Sequence, residues 1–235
     1  MPAPVPAQAL KISVDATHVV SALHQAPPQA SACVVLAHGA GAGMTHRFMA
    51  AVANGLADRE IATLRYQFPY MEQGSKRPDR PALAHATVRA AVAAASKLNP
   101  RLPLIAGGKS FGARMTSQAQ AAAALPQIRG LVFLGFPLHP AGKPDDTRAQ
   151  HLFEVHIPML FLQGTRDALA ETVLLRPLVQ KLGKTATLVL TEDADHSFHV
   201  PVRSGKNDRQ VLDAVLDTLA EWTVATARAP LPAPH

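Results

Sequence analysis

Ser110 lies in the segment Gly107-Gly108-Lys109-Ser110-Phe111-Gly112-Ala113-Arg114, which contains the pattern G-x-S-x-G. A serine hydroxyl is a weak nucleophile until a base takes its proton, and that base needs a third group to hold it. Such a trio carries out acyl transfer: attack on a carbonyl carbon, with the proton moved through an imidazole. Two downstream segments offer the missing partners. The apolar run Met159–Gln163 ends in Gly164-Thr165-Arg166-Asp167, placing a carboxylate just past the end of an expected strand. After the next β-like run come Thr191-Glu192-Asp193-Ala194-Asp195-His196-Ser197-Phe198-His199. Serine, then acid, then histidine is the chain order for a nucleophile on a strand-to-helix elbow. Asp167 and His196 are therefore the expected partners of Ser110. Asp193 or Asp195 could supply the carboxylate instead, and His199 competes with His196 but is expected to serve the loop or cap a helix.

The pentapeptide alone reads equally well as a helix N-cap serine after a glycine turn. Its setting favours the nucleophile: an apolar run, Leu102–Ala106, precedes it and an Ala-rich helical stretch, Ser110–Ala124, follows it. Gly108 and Gly112 flank the serine where a side chain would collide with the neighbouring strand or the helix backbone. Two backbone donors are needed for a developing oxyanion. One is expected at Phe111, the other at Ala40 in His38-Gly39-Ala40-Gly41-Ala42-Gly43, which follows the run Ala32–Ala37. A phosphate cradle fails on spacing, since G-x-G-x-x-G would need glycine where Met44 stands, and a Walker loop would need a lysine that is absent. His38 is expected to brace this loop.

Gly39, Lys109, Phe136, His139 and Tyr70 are the expected substrate-binding residues, with Met71 a weaker candidate. Lys109 or Arg114 could favour acidic acyl groups; the competing reading is a structural ion pair. His196-x-x-His199 can be drawn as a ligand pair, but no trio of His, Asp and Glu has metal-ligand spacing. No metal and no cofactor are expected.

These residues need a scaffold that brings distant loops to one edge. Short apolar runs with little alternation occur at Ala32–Ala37, Ile61–Tyr66, Leu102–Ala106, Leu131–Phe136, Met159–Gln163 and Ala186–Leu190. They read as strands buried on both faces. Helical spacers lie between them at Arg47–Arg59, Arg80–Leu98, Ser110–Ala124, Leu174–Leu182 and Asp208–Ala225. The alternation predicts an α/β fold: a mostly parallel central sheet with helices on both faces. Two earlier β-like runs, Lys11–Val14 and His18–Leu23, would form an antiparallel N-terminal edge. Pro137–Ile157 is the one stretch where a lid could be inserted, and its shortness predicts a minimal cap or none. A single domain over residues 10–227 is expected, with loose Ala- and Pro-rich tails at 1–9 and 228–235.

The 235 residues are 48% hydrophobic, enough for a packed core without covalent staples. The single cysteine, Cys33, sits in an apolar run and excludes both an intramolecular disulfide and a cysteine-based zinc site. The formal charge of +6 is spread without a basic stripe, and two Tyr with one Trp make no stacking platform, so nucleic-acid binding is not expected. The N-terminus lacks the charged and apolar regions of a signal peptide, and no apolar run approaches a membrane span. A cytoplasmic protein acting on a small molecule is the expectation; the oligomeric state is not legible.

The segments His38–Met49, Gly107–Arg114, Gly135–Lys143, Leu162–Asp167 and Asp193–His199 together resemble a small, lidless α/β-hydrolase group. That group includes testis-expressed protein 30-like proteins and the hydrolase-like domain of NSL-complex subunit 3. The likeness spans roughly residues 30 to 225. It implies an α/β-hydrolase fold, a Ser110–Asp167–His196 triad and a serine hydrolase acting on a small ester or thioester. Dienelactone-hydrolase-like enzymes are more distant and use cysteine where this chain has Ser110, so their substrate does not transfer. Some relatives act as interaction subunits, which leaves a non-catalytic module as the alternative; an acyltransferase would use the same acyl-enzyme.

Overall fold

The computed structural model describes residues 5–229. Strands β1 (Gln8–Ser13) and β2 (Val19–Gln25) open the chain. Strand β3 (Ala32–Ala37), helix α1 (Arg47–Ala57), β4 (Ile61–Tyr66), the one-turn α2 (Pro69–Glu72) and α3 (Pro81–Leu98) follow. The second half runs β5 (Leu104–Lys109), α4 (Phe111–Ala122), β6 (Ile128–Leu134), β7 (Met159–Gly164), α5 (Thr172–Leu182), β8 (Ala186–Thr191) and α6 (Asp208–Arg228).

The eight strands form one sheet in the order β1-β2-β4-β3-β5-β6-β7-β8. Strand β2 pairs antiparallel with both β1 and β4, and every other pairing is parallel. The N-terminal edge is antiparallel as expected, with the reversal confined to β2. Every residue of β3, β4 and β7 is buried, which explains their lack of alternation.

Alternate side chains of the central strands feed two cores. On one face Val34, Leu36, Ile105, Val132 and Leu160 meet Met49, Val52 and Leu56 of α1 and Val215 and Leu219 of α6. On the other, Cys33, Val35, Ala106, Phe133 and Phe161 meet Val88 and Val92 of α3, Met115 of α4 and Leu175 of α5. Burial pushes the Cys33 thiol up to about 12, so it packs as a small apolar group. Helix α6 starts at a capping box: Gln210 N–H donates to the Asn207 side chain, and Asn207 N–H to the Gln210 side chain.

Several boundaries differ from the sequence reading, each for a local reason. Strand β5 runs on through Gly107, Gly108 and Lys109, because the glycines let β3 and β6 approach closely. Strand β6 ends at Leu134 because Gly135 has φ of +71° and turns the chain away. The single turn of α2, started by Pro69, was not foreseen. In the stretch 137–157, residues Thr147–Glu154 form a 3-10 helix beside α4, with Ala149 and Leu152 buried and His151 Nε2 hydrogen-bonded to Ser117 Oγ at 2.7 Å. The expected loose tails lie partly outside the described residues; within them, β1 already includes Gln8 and Ala9, and α6 includes Arg228. Among the described residues no helix is long and apolar enough to cross a membrane.

The close approach at β5 is testable. A Cβ on Gly108 would run into the Ala37 backbone carbonyl, and one on Gly112 would lie 2.6 Å from both the Ala37 and His38 carbonyl oxygens. Backbone cannot move aside as a flexible side chain can. Gly108→Ala is expected to destabilise by about 3 kcal/mol or to abolish folding. Gly142→Ala, at φ of +71° in open space, should cost only about 1–2 kcal/mol through its backbone conformation. Urea denaturation of both variants checks the contrast.

Candidate active site

Ser110 occupies the one-residue joint between β5 and α4, with φ of +51° and ψ of −113°. That conformation is strained for a residue with a Cβ. Its N–H donates to the Leu134 carbonyl at 3.3 Å, tying the elbow to β6. The turn lifts the hydroxyl above the carboxyl edge of the sheet, at the start of a helix whose first N–H groups face the same space.

His196 lies in the loop after β8. Its Nε2 is 2.8 Å from Ser110 Oγ, and its Nδ1 is 2.6 Å from Asp167 Oδ2. A carboxylate oxygen at Nδ1 fixes the ring proton there, leaving Nε2 to accept the serine hydroxyl. Asp167, just past β7, is 3% exposed. Its Oδ1 accepts the Leu169 N–H at 2.8 Å, and its Oδ2 also accepts from the Gln163 side-chain amide. Gln163 Oε1 in turn accepts the Phe136 N–H at 2.8 Å. This glutamine, wholly buried on β7, was missed by sequence reasoning. The available signal was a lone amide in the otherwise apolar run Met159–Gly164.

The rival carboxylates are used elsewhere. Asp195 Oδ1 accepts the N–H groups of Ser197 at 2.7 Å and His199 at 3.0 Å, shaping the loop that presents His196. Asp193 has φ of +59° and its N–H donates to Thr165 Oγ1 at 2.9 Å. His199 is exposed and pairs with Asp208 at 2.9 Å at the start of α6, an ion pair that raises its pKa.

The Gly-rich loop after β3 faces the elbow. His38 anchors it: Nδ1–H donates to the Gly39 carbonyl at 2.8 Å, and Nε2 accepts the Phe68 N–H at 3.0 Å. Burial pushes this imidazole down to about 4, so it stays neutral. The N–H groups of Ala40 and Phe111 have no acceptor among the described residues, and both residues border a cavity that reaches Ser110.

Lys109 points its ammonium to the His196 carbonyl, 2.5 Å away, with the Phe48 and Phe198 rings centred 6.0 and 5.8 Å from it. Burial pushes it down to about 8 despite the opposing charges of Asp167 and Asp195. It therefore holds the histidine loop while its stem lines the cavity beside Gly39.

Three of the expected substrate-binding residues lie elsewhere. Tyr70 is buried behind the loop, where its hydroxyl accepts the Gly41 N–H at 3.3 Å. Phe136 follows the Gly135 turn down into an aromatic cluster with Phe133 and Phe161, at centroid distances of 5.2 and 5.9 Å. His139 is fully buried, its Nδ1–H donating to the Pro140 carbonyl at 2.9 Å and its N–H to the Leu169 carbonyl at 3.1 Å. All three brace the walls from behind.

Two cavities meet at Ser110, Ala40 and Leu169. The larger, about 540 Å³, is bordered by Phe48, Lys109 and His196. The smaller, about 330 Å³, is bordered by Phe111, Arg114, Pro137 and Arg148. Among the described residues no cluster of His, Cys, Asp or Glu could hold a metal ion.

Comparison with known proteins agrees with this architecture. The dienelactone hydrolase from Anabaena variabilis superposes with a TM-score of 0.77 at 20% identity, over 96% of this chain and 100% of that one. An α/β serine hydrolase without lid from Xanthomonas campestris superposes with a TM-score of 0.71 at 21% identity, over 99% of this chain and 98% of that one. At such identities the likeness is one of fold. The family model described as alpha/beta hydrolase domain matches residues 30–224. With that match spanning most of its length, the chain belongs to the alpha/beta hydrolase domain family.

Proposed function

We propose that this protein is a serine hydrolase that cleaves a small ester or thioester through an acyl-enzyme. The observation that carries the reading is the continuous hydrogen-bonded chain Ser110 Oγ, His196, Asp167 at a strained elbow. The match to the alpha/beta hydrolase domain family and the fold shared with a lidless α/β serine hydrolase support it.

In this mechanism Ser110 Oγ attacks the substrate carbonyl carbon as its proton passes to His196 Nε2. Asp167 holds the ring in the required tautomer and stabilises the imidazolium. The Phe111 and Ala40 N–H groups receive the oxyanion, aided by the positive end of α4. The imidazolium then gives its proton to the departing alcohol or thiol. Water, deprotonated by the same histidine, attacks the acyl-enzyme and releases the acid. Lys109 and Gln163 position the groups that react: one holds the His196 carbonyl, the other the Asp167 carboxylate.

Turnover of short-chain aryl esters tests the reading. Ser110→Ala should lower kcat by about three to six orders of magnitude, with the thermal transition little changed because only a hydroxyl is removed. A variant that retains wild-type turnover contradicts the assignment. Asp167→Asn should lower kcat by about three to four orders of magnitude, since an amide can turn its NH2 toward His196 and favour the wrong tautomer. Burst kinetics on the same esters would show whether acylation or deacylation suffers.

A further inference from the structure

The smaller cavity is bordered by two arginines that form no ion pair among the described residues. Arg114, on the first turn of α4, and Arg148, on the 3-10 helix 147–154, both border it within reach of Ser110. The Arg114 Nε is buried and has no hydrogen-bond partner, while its guanidinium lies 6.0 Å from the Phe111 ring centroid. Burial, and then the charge of Arg148, lower the Arg114 pKa. His151, pushed down to about 4 by burial and by Arg114, adds no compensating or further charge near neutral pH. The one carboxylate on this wall, Asp79, accepts the Tyr70 N–H at 3.2 Å and pairs with neither arginine.

Two partly buried guanidiniums bordering one cavity oppose folding unless an anion offsets their desolvation. Among the described residues no carboxylate lies within ion-pair distance of either arginine, which leaves an anionic group of the ligand to offset them. Geometry also decides which part of a substrate brings it. The departing oxygen or sulfur has to reach His196 Nε2, so the alcohol or thiol side lies in the larger cavity, which His196 borders. The acyl substituent is then directed past Phe111 into the cavity of Arg114 and Arg148.

Resting on the hydrolase reading above, we propose that the smaller cavity is an acyl pocket for a chain ending in a carboxylate. Arg114 and Arg148 bind that distal carboxylate, and the substrates are half-esters or half-thioesters of dicarboxylic acids. The reaction breaks the acyl C–O or C–S bond, consumes one water, and yields the alcohol or thiol, the dicarboxylate and a proton. Lys109 does not take this role, because its ammonium is held by the His196 carbonyl.

The test compares monoethyl glutarate with ethyl pentanoate, which has the same acyl carbon count and no charge, by ethanol release. The wild-type protein should favour the half-ester by about tenfold or more in kcat/KM. Arg148→Gln and Arg114→Gln should each lower that ratio by about tenfold, the scale of a lost charge-assisted hydrogen bond. Arg148 is only half-buried, so its variant keeps the test open if Arg114→Gln fails to fold. A wild-type ratio of one or less, or a ratio unmoved in folded arginine variants, overturns the acyl-pocket assignment while leaving the hydrolase reading intact. No hydrolysis of either ester by folded protein overturns both.

Discussion

The site depends on how closely β5 can approach its neighbours. Gly107 faces the Val132 carbonyl of β6, Gly108 the Ala37 carbonyl of β3, and Gly112 the carbonyls of Ala37 and His38. With no Cβ at these positions, α4 descends directly onto the ends of the central strands. Ser110 is thereby held at a positive φ that an unconstrained chain would leave, at a strain of about 1–3 kcal/mol. The surrounding sheet and helix, buried on both faces, determine this conformation. A looser joint would let the hydroxyl swing away from His196.

A second constraint acts on the histidine side. His196 sits on a loop anchored in the core by Ala194 and Phe198, and polar contacts fix its orientation. Asp195 closes the loop on Ser197 and His199, Lys109 takes the His196 carbonyl, and Asp167 takes Nδ1. Asp167 is fixed by Gln163 and by the Leu169 N–H. Fixed donors and acceptors of this kind need little rearrangement as charge develops, which is where electrostatic preorganisation gains its effect. The Gly-rich loop is held in the same manner by His38 and Tyr70.

Much of this was legible in the sequence because it is written in local signals. The unalternating runs gave doubly covered strands, and β3 and β4 fall where they were expected. Ser110, Asp167 and His196 stand after strand ends in the required order, and folding brings them within hydrogen-bond distance. Phe136, His139 and Tyr70 were misplaced for one reason. Lying after a strand indicates the right edge of the sheet but not which way a side chain turns, and the positive φ at Gly135 sends Phe136 into the core. Gln163 escaped because its role comes from contacts with residues 4 and 27 positions away. Arg114 was visible as an anion-binding candidate, but Arg148 was not, since only the 3-10 helix brings it to the same cavity.

The central claim is that Ser110 is an activated nucleophile, and a fluorophosphonate probe measures this without knowledge of the substrate. Serine oxygen attacks the phosphorus and displaces fluoride only where a base can take its proton, and the adduct is read by mass spectrometry of the Ser110 peptide. The account predicts one covalent adduct per chain, located on Ser110, formed far more slowly in His196→Gln. Folded wild-type protein that stays unlabelled, or that labels at another serine, would contradict it.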